Sequence, residues 1–256
     1  MKTAVITGAA QGVGLATSLT LGALGYRIVM VDVQPLDERV QQLREAGLEA
    51  VGLTGDICSE SFVDHLAQVV LRDYSAADVL INNAGISLIA RAEDTSVSQW
   101  RRILEVNLTG PFLLCKCLGS QMLARGRGNI VNVASVAGLA GIAHRSAYNA
   151  SKHGLIGLTR TLAAEWGGRG LRVNAVCPGW IKTDMDVADQ GRGAYSDADI
   201  IDRVPMARFA TAEDVAGAIA YLSDPERSAF VNGVTLPVDG GWIADASWES
   251  LRRKNR

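Results

Sequence analysis

Three side chains near the middle of the sequence have types and spacing suited to proton transfer. Tyr148 and Lys152 are four residues apart in a helical pattern, so they share one helix face. A free tyrosine has a pKa of about 10, and a neighbouring ammonium lowers that pKa by stabilising the phenolate. Ser135 precedes Tyr148 by thirteen residues, at the end of a predicted strand. The pair alone is also compatible with a solvated helix face, and Ser135 favours a catalytic group.

A glycine-rich turn follows the first apolar run of the chain. It reads Thr7-Gly8-Ala9-Ala10-Gln11-Gly12-Val13-Gly14 and leads into a helical pattern. Glycines let backbone approach a phosphate without a Cβ between them, and a helix N-terminus offers it N–H groups and partial positive charge. The Gly-x3-Gly-x-Gly spacing differs from the more common Gly-x-Gly-x-x-Gly fingerprint. Its strand–turn–helix context nevertheless predicts a dinucleotide site that includes Gly8, Gln11, Gly12, Val13 and Gly14.

Asp32 ends the second predicted strand, about 20 residues past this turn. A carboxylate there accepts hydrogen bonds from the ribose hydroxyls of an adenosine and repels a 2′-phosphate. Val33 and Gln34 follow it, with no Arg or Lys, and Gln11 is neutral. These residues favour NAD over NADP. The alternative is an aspartate that only caps the next turn.

Short apolar runs alternate with longer amphipathic ones along the chain, and this alternation predicts the elements that position these groups. It is typical of a parallel sheet covered on both faces. The fold class is therefore α/β, a Rossmann-type doubly wound sheet of about seven strands with helices on both faces. The predicted strands are Thr3–Thr7, Arg27–Val31, Ala50–Leu53, Val79–Asn82, Asn129–Ala134, Arg172–Val176 and Val234–Val238. The predicted helices are Gly12–Leu24, Leu36–Glu45, Ser59–Arg72, Ser98–Leu123, Ala147–Trp166 and Ala212–Leu222.

No linker divides residues 1–256, which we interpret as one domain. Two segments depart from the alternation of strands and helices. Residues 181–209 are polar and follow the sixth strand, at the edge where open α/β sheets bind ligands, so they are expected to form a substrate lid. A surface insertion is the alternative. The basic tail, residues 245–256, is expected to be solvated, and the alternative is that it reaches the active site of a neighbouring subunit.

Bulk composition excludes several classes of function. The net charge of −2 gives no basic field for nucleic acid. No run of about 18 apolar residues is present, so no membrane segment is expected. The apolar run near the start is only five residues long and stops at Gly8, which is too short for a secretory signal. Both observations favour the cytoplasm. The four cysteines form no CxxC pair, and with three histidines they suggest packing residues rather than a metal site.

Taken together, the motifs resemble the short-chain dehydrogenase/reductase family in its single-domain form of about 250 residues. The resemblance runs from Thr3 to about Trp242. The motifs stand in the family's order: the Thr7–Gly14 turn, Asp56-Ile57, Asn82-Asn83-Ala84-Gly85, Asn107, Ser135, Tyr148-x3-Lys152, Asn174, Pro178-Gly179 and Thr183.

The resemblance implies a role for each matching residue. Tyr148 exchanges a proton with the substrate as hydride moves to or from the nicotinamide. Lys152 assists it and contacts the nicotinamide ribose, Ser135 holds the substrate oxygen, and Asn107 anchors a water. The remaining cofactor contacts implied are Asp56, Ile57, Asn83, Ala84, Gly85, Pro178, Gly179, Ile181 and Thr183. Family members are often homotetramers.

The substrate is weakly specified by the sequence. Candidate contacts besides Ser135 are Arg145, Trp180 and Met185. Arg145 precedes Tyr148 by three residues, and its guanidinium suits a carboxylate, a sulfonate or a polyol, although an arginine on a subunit surface is the alternative. The leading hypothesis is an NAD-dependent dehydrogenase of a sugar, polyol or sugar acid. The alternatives are an NADPH-dependent 3-oxoacyl thioester reductase and an inactive nucleotide-sensing protein.

Overall fold

The computed structural model describes residues 1–182, 196–248 and 251, and these form one seven-stranded sheet flanked by helices. Each predicted strand is present, with ends within two residues of the prediction. The strands are β1 (Lys2–Thr7), β2 (Tyr26–Asp32), β3 (Ala50–Thr54), β4 (Val79–Asn82), β5 (Gly128–Val133), β6 (Leu171–Pro178) and β7 (Thr235–Val238). The α-helices are α1 (Gly12–Ala23), α2 (Asp37–Glu45), α3 (Glu60–Tyr74), α4 (Val97–Leu104), α5 (Gly110–Arg125), α6 (Ser146–Trp166), α7 (Asp197–Arg203) and α8 (Ala212–Ser223).

The strand order places the two halves of the sheet around β1 and β4. All neighbouring strands pair in parallel in the order β3-β2-β1-β4-β5-β6-β7. The chain thus winds outward from β1 in one direction and from β4 in the other. Ligands of such sheets bind at the carboxyl ends of the strands, where the winding reverses. The predicted α/β doubly wound architecture is confirmed.

Alternation along each strand builds a core on both faces of the sheet. Ile28 and Met30 of β2 face a cluster that contains residues of α1, α2 and α8, whereas Val29 and Val31 face a cluster with residues of α3, α5 and α6. All four of these β2 side chains are fully buried. Because both faces are covered, the strands consist of nearly continuous apolar runs.

The helix predicted over Ser98–Leu123 is present, but it is not one regular α-helix. It consists of α4, a π-helical segment Glu105–Thr109, and α5. A π segment adds one residue to a helical turn and is often found at functional sites. Its buried middle residue, Asn107, forms hydrogen bonds to the loop after β4.

The segment predicted as a lid is described only in part, since residues 183–195 lie outside the described residues. The described remainder contains α7, which the sequence analysis did not predict. A capping box begins this helix, with reciprocal hydrogen bonds between Ser196 and Asp199. Ile200 and Val204 are buried, so this part packs onto the body of the protein. Of the predicted tail, residues 249–250 and 252–256 lie outside the described residues.

Two properties of the described residues bear on other classes of function. None of their helices has the length and apolar character required to cross a membrane. Nor do they contain a group of three or more His, Cys, Asp or Glu side chains able to hold a metal ion. All four cysteines are free thiols.

Candidate active site

A cavity of about 660 Å³ runs along the carboxyl ends of the strands. One end is lined by Asp32 and Asp56, at the ends of β2 and β3, and the other by Ser135, Tyr148 and Lys152. Its volume falls in the usual range for cofactor and ligand sites. The other predicted residues that line it are Gly8, Gln11, Gly12, Val13, Ile57, Asn83, Ala84, Gly85, Arg145, Pro178, Gly179, Trp180 and Ile181. Thr183 and Met185 lie outside the described residues.

The glycine-rich turn has no room for side chains at its closest approaches. A Cβ on Gly14 would lie 2.0 Å from the Gly8 carbonyl oxygen. Gly8 has a φ of +64°, a left-handed conformation that glycine adopts at no steric cost. Asn83 Nδ2 fixes the turn from β4 by donating to the carbonyl oxygens of Thr7 (2.9 Å) and Gly8 (3.0 Å). The first turn of α1 therefore begins beside the cavity, with no acidic residue in it, and this geometry fits a phosphate.

Asp32 both lines the cavity and caps the turn. Its Oδ2 accepts a hydrogen bond from the Ala10 N–H and its Oδ1 accepts one from the Gln34 N–H, each at 3.0 Å. Arg39, on α2, donates from Nε to the Ala10 carbonyl oxygen at 3.1 Å. Ala10 in the turn is thus held by the Asp32 carboxylate at its N–H and by the Arg39 guanidinium at its carbonyl oxygen. The sequence analysis missed Arg39 because it considered only the residues directly after Asp32.

Asp56 and Ile57 line the same end of the cavity as Asp32. Asp56 forms an ion pair with Arg102 (3.2 Å) and accepts a hydrogen bond from the Cys58 N–H (2.9 Å). Burial raises the pKa of Asp56, but these two partners outweigh burial and leave that pKa below its usual value. The carboxylate is therefore ionised at neutral pH and able to accept hydrogen bonds.

The three residues of the predicted catalytic group meet at the other end of the cavity. Lys152 is almost fully buried, and its Nζ donates to the Val133 carbonyl oxygen at 2.8 Å. The same Nζ lies 5.6 Å from the centroid of the Tyr148 ring. Burial lowers the pKa of Lys152 to about 8, with the nearby Cys177 opposing the shift. Ser135 follows β5 and is held by a hydrogen bond from the Ala137 N–H to its Oγ (3.1 Å).

Asn107 does not line the cavity but supports it from the π segment. Its Oδ1 accepts from the Ile86 N–H and its Nδ2 donates to the Ile86 carbonyl oxygen, both at 2.9 Å. Nδ2 also donates to Ser151 Oγ at 3.1 Å, which ties the segment to α6. A Cβ built on Gly85 would lie 3.3 Å from Asn107 Oδ1 and 3.5 Å from Lys152 Nζ, so all three residues crowd together.

A buried polar chain, which the sequence analysis did not recognise, runs beneath the site. Asn82 Nδ2 donates to Asn132 Oδ1, and Asn132 Nδ2 donates to Thr159 Oγ1, both at 2.8 Å. All three side chains are buried. The signal lies in the register, since Asn82 and Asn132 are paired neighbours on β4 and β5. The chain fixes α6, which carries Tyr148 and Lys152, to the centre of the sheet.

Arg145 and Trp180, two of the predicted substrate contacts, line the cavity. Arg145 Nη1 donates to Ser87 Oγ at 2.8 Å, and its guanidinium carbon lies 5.9 Å from the Tyr148 ring centroid. Trp180 packs against Trp242 with ring centroids 5.0 Å apart. Behind Trp180, a second cavity of about 300 Å³ reaches α7. Arg145 thus lies at the end of the cavity that contains Tyr148 rather than on a remote surface.

The fold and the site define a dinucleotide-binding oxidoreductase, and the comparisons identify its family. Residues 8–243 match a family model described as enoyl-(acyl carrier protein) reductase. The chain belongs to the short-chain dehydrogenase/reductase family, and the resemblance seen in its motifs is confirmed.

Relatives in this family act on different substrates. The chain is 40% identical to cis-4-hydroxycyclohexanecarboxylate dehydrogenase of Sinomonas cyclohexanicum over 95% of this chain and 97% of that one. It is 37% identical to 3-oxoacyl-[acyl-carrier-protein] reductase of a Synechocystis strain, over 94% of this chain and 97% of that one. Among solved structures, a variant of actinorhodin polyketide ketoreductase with NADPH superposes with a TM-score of 0.90 at 37% identity. The superposition covers 94% of this chain and 97% of that one. Membership therefore fixes the class of reaction and leaves the substrate and the cofactor open.

Proposed function

We propose that this protein is an NAD-dependent dehydrogenase of a polar secondary alcohol, with Tyr148 as the general acid/base. The observation that carries this proposal is the convergence of Ser135, Tyr148 and Lys152 at one end of a cavity whose other end contains Asp32. A sugar, polyol or sugar acid is the proposed substrate, because Arg145 adds a guanidinium to the end of the cavity that contains Tyr148, which we call the reacting end.

The chain supplies the residues that would position the cofactor and the group that exchanges a proton with the substrate. The turn of Gly8, Gln11, Gly12, Val13 and Gly14 would hold the pyrophosphate, Asp32 and Asp56 the adenosine, and Pro178, Gly179 and Ile181 the nicotinamide end. The nicotinamide, when bound, takes or gives the hydride.

At the substrate oxygen, the Ser135 hydroxyl orients the alcohol and Tyr148 takes its proton during oxidation or returns it during reduction. The Lys152 ammonium favours the phenolate form of Tyr148, and Asn107 keeps α6 and the loop after β4 in register with it.

NADPH-dependent reduction of a 3-oxoacyl thioester is the second candidate. Arg39 favours it, because this guanidinium lies at the turn opposite Asp32 and offsets part of the repulsion against a 2′-phosphate. The two relatives that reduce 3-oxoacyl or polyketide groups also support it. The fixed carboxylate of Asp32, which lines the cavity whereas Arg39 does not, is why we place NAD first.

The test compares cofactor binding with turnover. We expect fluorescence titration to give tighter binding of NADH than of NADPH, and a panel of secondary alcohols with NAD to contain a substrate. Tyr148→Phe should bind NADH as the wild type does while losing turnover by about 100-fold or more. Tyr221→Phe, on the exposed face of α8, is the matched control and should change neither.

Two outcomes would reverse this order. A preference for NADPH, together with reduction of acetoacetyl thioesters and no alcohol oxidation, would move the reductase to first place. Equal turnover by Tyr148→Phe would refute the role given to Tyr148. The homotetramer stays a prediction, which light scattering of the purified protein measures.

A further inference from the structure

The carboxylates that line the main cavity lie at one end of it. Among the described lining residues, the acidic ones are Asp32 and Asp56, near the ends of β2 and β3, and Arg102 pairs with Asp56 there. The reacting end is lined by the basic residues Arg145 and Lys152, whereas Lys182, which also lines the cavity, is paired with Asp197. A ligand group that lies near Tyr148 therefore experiences a positive field in a partly enclosed site, where charge is weakly screened.

Arg145 owes its position to a fixed backbone. It is the residue that precedes α6, and its carbonyl oxygen accepts from the Asn149 N–H at 2.7 Å. Its neighbour His144 has a φ of +61° and accepts a hydrogen bond from the Ala90 N–H (2.9 Å). A left-handed histidine costs free energy, so it persists where surrounding contacts over-determine the backbone. The loop after β4 thus holds the start of α6 in one conformation.

The guanidinium of Arg145 lies beside the Tyr148 ring, at the reacting end of the cavity. Ser87 Oγ accepts from its Nη1 at 2.8 Å, and the guanidinium carbon lies nearly as close to the Tyr148 ring as Lys152 Nζ does, 5.9 Å against 5.6 Å. The start of α6 adds to its charge, since the first turn of this helix contains no acidic residue. Tyr148 itself belongs to this first turn, so an anion bound beside Arg145 and the Tyr148 ring lies near the start of α6.

We infer that Arg145 is a specificity-determining residue that binds a carboxylate of the substrate, so that the protein acts on a hydroxy acid. This inference rests on the proposed function and narrows its substrate class. A guanidinium presents a planar fork of N–H donors that matches a carboxylate in two parallel hydrogen bonds. A neutral polyol offers no negative charge to this field. Ser87 acts through Arg145, as a positioning residue.

The first experiment measures binding alone and does not depend on turnover. Cyclohexanecarboxylate and cyclohexanecarboxamide, which differ in charge but hardly in shape, are titrated into the protein with and without NADH. We expect the carboxylate to bind about 10- to 100-fold tighter than the amide to the wild type. Arg145→Met should erase this preference, and Arg145→Lys should keep part of it because an ammonium lacks the fork.

Arg72→Met is the matched control, since Arg72 lies on α3 and pairs with the exposed Asp73. Arg72→Met should leave the preference for the carboxylate intact. Thermal unfolding of each variant checks that the variant is folded. Equal affinity of the two probes for the wild type, absence of binding by both, or a preference that survives in Arg145→Met would each overturn the inference.

The second experiment separates this inference from the proposed function. Oxidation of 3-hydroxybutyrate is compared with that of its amide, and we expect kcat/KM to favour the acid by about 10-fold or more in the wild type, but not in Arg145→Met. Turnover of neutral alcohols without any preference for acids refutes the carboxylate site and spares the dehydrogenase. A carboxylate preference in binding without oxidation of any alcohol supports the site and refutes the dehydrogenase.

Discussion

Replacement of Lys152 by methionine should stabilise the protein at neutral pH while it destroys the proposed proton transfer. Lys152 is buried, and its pKa falls from 10.5 to about 8 because burial disfavours the ammonium. A shift of this size corresponds to about 3 kcal/mol by which the folded state is less stable at pH 7 than it would be with a neutral side chain. Methionine has a similar length and no charge.

The loss of one hydrogen bond opposes this gain. In Lys152→Met the Val133 carbonyl oxygen loses the donor that lies 2.8 Å away, which costs about 1 to 2 kcal/mol. The net effect at pH 7 is therefore a gain in the free energy of unfolding of about 1 to 2 kcal/mol.

The sign of the pH dependence follows from the lowered pKa. Below the folded-state pKa of about 8, both folded and unfolded states hold the proton and the penalty is complete. Between that pKa and 10.5, the folded wild type releases the proton first, so its stability rises relative to the variant. The advantage of Lys152→Met should therefore shrink by about 2 to 3 kcal/mol between pH 7 and pH 10.

Urea unfolding of wild type and variant at both pH values, without cofactor, measures this difference. Lys116→Met, at an exposed position on α5, serves as the control and should show no such pH dependence. If the difference in free energy of unfolding between Lys152→Met and wild type is the same at the two pH values, the conclusion that burial lowers the pKa of Lys152 is refuted.

Two further substitutions test the glycine-rich turn and the buried polar chain. Gly14→Ala places a Cβ 2.0 Å from the Gly8 carbonyl oxygen, so the turn must open and NADH affinity should fall by about 10-fold or more in a fluorescence titration; Gly157→Ala, with nothing within 4 Å of its Cβ, is the control. Thr159→Val removes the buried acceptor of Asn132 Nδ2 and should lower the free energy of unfolding by about 1 to 3 kcal/mol in urea, whereas Thr161→Val, exposed on the same helix, should change it little.

The sheet was predictable because its strands are buried on both faces. Runs such as residues 79–81 are apolar and buried over their whole length, a composition typical of a parallel sheet between two helix layers. Their order along the chain then places Ser135 and Asp32 at the same edge. Periodicity alone could not reveal the π segment at Asn107, because its extra residue is stabilised by the distant backbone of Ile86.

Helix α7 was missed although the sequence carries a local signal for it. Ser196 is followed three residues later by Asp199, and the two form a capping box. The usual form of this motif has Glu or Gln at that position, so the pattern was hidden within a polar stretch. The role of the segment as a lid stays a prediction, because residues 183–195 lie outside the described residues.

The choice between NAD and NADP shows why adjacent residues are insufficient for this question. The carboxylate of Asp32 already accepts two backbone N–H groups, so it is held at the cavity wall rather than free to swing away from a 2′-phosphate. Arg39 is seven residues further along, yet α2 returns it to the same Ala10. Selectivity therefore depends on the difference between one fixed negative charge in the wall and one guanidinium behind the turn. Because Coulomb energies fall with distance and with exposure, we expect the carboxylate in the cavity wall to dominate, and we therefore propose NAD ahead of NADP.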